Sequence, residues 1–329
     1  MTPSASLAQA ILGPRDRTQP TRDRIETLSQ EIASGRAADT GRALSSDFSQ
    51  VSRLAHGLRE GRASIESLSQ AQTWGAAIQA SLARVADVSA RQMADLPVNL
   101  ANPDPAAISR LSRGGEEGVR DIVAALGHTV GGRALFANGG TEPPITTVDD
   151  ILTEVSALAT AATDFDDYIQ RVDAYFAPGG TFETAHLSVP ATDPTRFPAG
   201  GGEVVTFEVE AGSDELVQAL RSAATLSGLG GASFALTPDA RLTLQERAAN
   251  AAADLPTLQG RIGATEARVG DRLETLRAEE QQAEVDLSTA VGVDPFETVS
   301  ALQNEMTRLE TLYAITARRA QLRLTDYLR

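Results

Sequence analysis

From Asp294 to Arg329 the chain carries one uninterrupted helical pattern whose apolar residues fall on a seam. Val299, Leu302, Met306, Leu309, Tyr313, Thr316, Ala320 and Tyr327 recur at steps of three, four or seven residues, the period of a helix docked along another helix. The start is well specified. Asp294 can accept hydrogen bonds from the first free backbone N–H groups, Pro295 sits where its missing N–H costs nothing, and Glu297 stands at the capping-box position. A seam of this kind needs a covering surface: the chain's own amino-terminal helices, neighbouring copies, or both.

Helical patterning dominates elsewhere. Arg17 to Ala33 predicts a helix with Ile25, Leu28 and Ile32 on one side and Gly35 placed to end it. A much longer helix is expected from Ser46 or Asp47 to Pro97, with a shift of apolar frame near Gly75. At 1.5 Å per residue, Phe48 to Asp95 spans roughly 70 Å, so an elongated molecule is expected. Asp104-Pro105 opens a third helix that runs to Gly131-Gly132. The pattern returns from Pro238 to Ala290, with Pro256 expected to kink or restart it.

Between these flanks the texture changes. Gly139-Gly140, Pro143-Pro144, Pro178-Gly179-Gly180 and Gly200-Gly201-Gly202 mark turns, and Glu203 to Glu210 alternates like a half-buried strand with Val205, Phe207 and Val209 inward. Helical patterns at Val148 to Phe176 and Asp214 to Leu226 accompany it. The expected fold is mainly α: an elongated antiparallel helical rod or coiled coil formed by the amino- and carboxy-terminal segments, with a small inserted α+β domain. The expected boundaries are 1–133 for the first half of the rod, 134–236 for the insert and 237–329 for the second half.

Charge follows the same division. Ala134 to Leu236 holds fifteen Asp/Glu against three Arg (Arg171, Arg196, Arg221), a balance of −12 that leaves only −3 of the total −15 for both flanks. A middle this acidic repels phosphate, so nucleic acid is not an expected partner. No stretch approaches the roughly 20 apolar residues of a membrane span, so no membrane insertion is expected. The first dozen residues lack the basic start and apolar run of a cleaved secretory signal.

The chemistry-bearing residues point away from catalysis. The chain has no cysteine and only His56, His128 and His186, which excludes disulfides and thiolate sites and leaves each imidazole isolated along the sequence. Asp149-Asp150, Asp166-Asp167 and Glu116-Glu117 diverge by about 100° on a helix, so they read as solvated faces. Asp164-Phe165-Asp166-Asp167 lacks the glycine and closing glutamate of a calcium loop and reads as a helix start. Gly200 to Gly202 and Gly228 to Gly231 are not followed by Lys-Ser/Thr and read as turns or hinges. Trp74 beside Gly75 reads as a space-filling pair. No catalytic residue, cofactor or metal is expected.

Three stretches together resemble the flagellin family, and most closely its hook-associated branch. They are Leu28-Ser29-Gln30-Glu31-Ile32-Ala33-Ser34-Gly35-Arg36 followed by Ser46-Asp47-Phe48-Ser49, Gly131-Gly132-Arg133-Ala134-Leu135-Phe136-Ala137-Asn138 with Pro143-Pro144, and the final Ala320-Gln321-Leu322-Arg323-Leu324-Thr325-Asp326-Tyr327-Leu328. The resemblance implies an extracellular structural protein of the bacterial flagellum, exported without a cleaved signal peptide, joining hook to filament. It implies partners as well: other copies of itself, neighbouring hook-associated and flagellin subunits, and a flagellar export chaperone. The candidate assembly interface is Leu7, Ile11, Ile25, Leu28 and Ile32 at one end and Leu309, Leu312, Ile315, Leu322, Leu324, Tyr327 and Leu328 at the other. A filament flagellin is the alternative within the family. A cytosolic coiled-coil adaptor or export chaperone, and more remotely a metal-dependent enzyme, are the alternatives outside it.

Overall fold

In a computed structural model, residues 5–38, 49–188 and 194–327 are described, with side chains described from 18 to 318. The fold is mainly α. Its elements are α1 (Ala5–Ser34), α2 (Ser49–Leu100), α3 (Pro105–Leu126), β1 (Thr129–Val130), β2 (Arg133–Ala134), α4 (Val148–Ala161), α5 (Phe165–Phe176), a π turn (Phe182–His186), β3 (Arg196–Gly200), β4 (Glu203–Thr206), α6 (Asp214–Gly228), a 3-10 turn (Leu229–Gly231), α7 (Pro238–Val291) and α8 (Pro295–Tyr327). They form two compact units, Met1–Arg62 with Ala278–Arg329, and Ala63–Arg277; α2 and α7 contribute residues to both.

In the first unit α1 packs against α8. The two run antiparallel, because Arg36 bridges Gly292 at one end while Arg22 reaches Tyr313 further along. Gly35, at φ +67°, ends α1 as expected, and its carbonyl accepts from Val293 N at 3.2 Å. Asp294 Oδ1 accepts from Phe296 N and Glu297 N at 2.8 and 3.2 Å, which fixes the start of α8. One expectation fails here: α1 is a single element through Gly13, Pro14 and Pro20 rather than a helix beginning at Arg17. The expected start of the long helix at Ser46 or Asp47 lies outside the described residues.

The second unit holds one core drawn from all of its helices and from both short sheets. α6 is its centre. Residues 222–229 are buried without a break, and α3, α4 and α5 all pack on that helix. Small residues permit this: a Cβ on Gly115 of α3 would lie 2.3 Å from Ser227 N, and one on Gly228 would lie 2.3 Å from Tyr168 Oη. Gly228 to Gly231 is thus a close-packed turn, the turn its glycines suggest. Trp74 is buried and tilted on Phe197, while Phe207 and Glu266 close over Gly75.

Pro97 behaves differently from its local signal, and Pro256 does not restart its helix. α2 continues past Pro97 to Leu100, because Leu96 and Leu100 are buried and Arg241 Nη1 caps the terminal Leu100 carbonyl at 3.1 Å. α7 is a single element through Pro256, and the full burial of Leu255 and Leu258 offsets the lost hydrogen bond, which costs about 3 kcal/mol in an exposed helix.

The third helix also ends earlier than its glycines suggest, at Leu126. Gly131 and Gly132, at φ +58° and +78°, instead form the two-residue turn between β1 and β2. Of the expected strand from Glu203 to Glu210, Glu203–Thr206 forms one, antiparallel to β3. Beyond it the alternation persists, with Phe207 and Val209 buried.

Candidate functional site

The α1–α8 pair carries the predicted assembly residues. On α8 the row Thr298, Leu302, Glu305, Leu309, Leu312 and Thr316 is buried or half-buried, and on α1 the matching row is Thr18, Thr21, Ile25, Leu28 and Glu31. On these paired helices Leu28 is only 3% exposed, and Ile25, Leu309 and Leu312 are half-buried. Ile32 and Ile315 are not covered, at 37% and 54% exposure. The side chains of Leu7, Ile11, Leu322, Leu324 and Tyr327, and all of Leu328, lie outside the described residues.

The heptad seam is therefore split. Its d-type residues Leu302, Leu309 and Thr316 turn toward α1, whereas its a-type residues Val299, Met306 and Tyr313 remain 39%, 50% and 44% exposed. These three lie seven residues apart and so form one continuous apolar row. Arg22 Nε donates to Tyr313 Oη at 3.1 Å and its guanidinium sits 5.7 Å from the ring centroid, which orients the ring without covering it. Sequence spacing marks this seam but does not reveal which half an internal partner takes.

A second cluster joins residues far apart in the sequence. His186 is buried on the π turn; its Nδ1 lies 2.6 Å from Thr147 Oγ1 and its Nε2 lies 2.9 Å from Glu154 Oε2, which also accepts from Tyr175 Oη at 2.7 Å. His186 is thus not isolated. Thr147 stands at the N-cap of α4, yet its hydroxyl goes to the imidazole rather than to the helix. Partial burial would raise the Glu154 pKa, but the bonds from Tyr175 and His186 prevail and hold the carboxylate below its ordinary range. Burial, reinforced by Glu154, drives the Tyr175 phenol strongly upward, so it stays a donor. The tilted ring contact of Tyr175 with His186, centroids 6.2 Å apart, completes a structural latch across α4, α5 and the π turn.

The other sequence candidates resolve simply. His56 is exposed and lies 3.9 Å from Glu60 one turn on, and His128 is exposed beside the β1–β2 hairpin. Asp149 pairs with Arg120 and Asp167 with Arg171, both at the surface. Asp164 Oδ1 accepts from Asp167 N at 2.9 Å, a helix cap as expected. Among the described residues no group of three or more His, Cys, Asp or Glu is placed to hold a metal ion, and no helix is long and apolar enough to cross a membrane. No protein-family model matches the chain, and no curated protein matches it in sequence.

Proposed function

We propose that this chain is a structural subunit that assembles through its terminal helices, in the manner of the flagellin family, and that it serves at the junction of hook and filament as a hook-associated protein. The observation that carries this reading is the exposed row Val299, Met306 and Tyr313 beside a row already occupied by α1. A helix with one partner in place and a second apolar row free is suited to taking neighbouring copies as further partners. The motif resemblance at Leu28 to Arg36, Gly131 to Asn138 and Ala320 to Leu328 supplies the flagellar setting. In this reading an elongated antiparallel rod packs among its copies through nearly neutral flanks, while the −12 charge of residues 134–236 keeps that segment solvated. The subunit is exported, lies outside the cell, and has hook-associated and flagellin subunits as neighbours.

Immunogold labelling of isolated hook–filament particles tests the placement. Label confined to the junction is expected; label along the whole filament would transfer the role to filament flagellin, and label only in the cytosol would remove the reading. Deleting residues 322–329 should block incorporation, and unimpaired motility in that mutant would count against assembly through the termini.

A further inference from the structure

A cleft of about 240 Å³ lies between α2 and α3, and nothing in the assembly reading uses it. Its two ends are latched. Arg91 Nη2 meets Asp121 Oδ2 at 3.1 Å, and Arg110 Nε donates to Asn99 Oδ1 at 3.0 Å. Between these latches Asp95 and Glu117 face the opening from opposite helices, and neither carboxylate has an ion-pair or hydrogen-bond partner among the described residues. Buried Val88, Leu111 and Leu226 supply an apolar floor, and Gly114 leaves room above it, since a Cβ there would meet nothing within 4 Å.

Gln92 adds a buried polar group to the same cleft. It is only 7% exposed, yet its Nε2 has no hydrogen-bond partner. The amide is accommodated because residue 118 is glycine: a Cβ there would lie 2.3 Å from that nitrogen. A buried donor left unmade costs about 1–3 kcal/mol, and packing alone would be better served by a methionine or leucine. That nitrogen sits against Gly118, in the wall of the cleft.

We infer that this cleft binds an arginine-type ligand, a guanidinium on an apolar stem carrying a carbonyl oxygen. The guanidinium fork meets Asp95 and Glu117, the methylene stem lies over Leu111 and Val88, and the carbonyl accepts from Gln92 Nε2. Two carboxylates above an apolar floor suit an organic cation better than a metal ion, because calcium needs six to eight oxygen ligands. The inference stands apart from the assembly reading, since every residue it uses lies within Ala63–Arg277.

The test is titration of the full chain with free arginine and, separately, with Nα-acetyl-arginine amide, read by calorimetry and by NMR. Saturable one-to-one binding of either probe is expected. The capped probe binding better indicates a peptide source, and free arginine binding better indicates the amino acid. Asp95→Asn with Glu117→Gln should weaken binding about tenfold or more, and Gly114→Leu should block the cleft. Gln92→Met should weaken binding while raising the thermal midpoint of the free protein, a combination that a purely structural glutamine would not give. No saturable binding of either probe at about 10 mM, far above a 1 mM dissociation constant, would overturn the inference. So would binding left unchanged by the Asp95/Glu117 pair of substitutions.

Discussion

Replacing the exposed row by Val299→Gln, Met306→Gln and Tyr313→Gln separates the fold of the subunit from its association. These side chains already meet solvent at 39%, 50% and 44%. Full burial of such side chains stabilises by about 1.5–3 kcal/mol each, so covering the remaining surface contributes about 0.7–1.5 kcal/mol each and about 2–4 kcal/mol for the row. That corresponds to a loss of about 30- to 700-fold in the association constant per contact. Within the subunit the same changes cost little, because glutamine is a good helix former and the Arg22–Tyr313 contact is exposed and worth about 0.5–1 kcal/mol. Sedimentation velocity over a concentration series, with circular dichroism as the folding control, reads both quantities. A triple variant that associates like the parent would refute the assignment of this row to a neighbouring copy.

Other outcomes follow from the packing. Leu28→Ala, at a position 3% exposed, should destabilise the α1–α8 pair by about 2–4 kcal/mol and lower its urea midpoint. Gly115→Ala places a methyl group 2.3 Å from Ser227 N and 2.7 Å from Leu226 C, backbone atoms that cannot turn aside, and should cost about 1–3 kcal/mol in chemical denaturation. Asp104→Ala removes the acceptor 2.6 Å from Ala107 N and should cost about 1 kcal/mol. Because the native Glu154 pKa is lowered, its stabilisation is complete above the ordinary glutamate value of about 4.5 and is lost as pH falls through the native value. The stability gap between the parent and Glu154→Gln should therefore close in acid; a gap that widens there would contradict the latch.

Local signals in the sequence locate helices well where a cap is explicit. Asp104-Pro105, Asp164 and Asp294-Pro295 each predict a start, and each aspartate accepts a backbone N–H in the structure. Signals fail where a distant contact overrides them. Pro97 reads as a terminus because the capping Arg241 is 141 residues away along the chain in the bond to Leu100. The His186 latch is invisible for the same reason: its partners are separated by 39 and 32 residues. Gln92 carries no sequence signal at all, since one polar residue on a helix is unremarkable until its amide is found buried without a partner. The heptad period shows that Asp294 to Arg329 has a seam, but a helix pair buries only the rows that face each other, and that choice belongs to three-dimensional packing.

The central claim is that the terminal helices are completed by neighbouring copies. Amide hydrogen exchange along α1 and α8, measured on the intact chain from dilute to concentrated solution and in assembled particles, tests it most directly. Protection that is low when dilute and rises with concentration and assembly is the predicted result; full protection in the dilute subunit, unchanged by assembly, would contradict it.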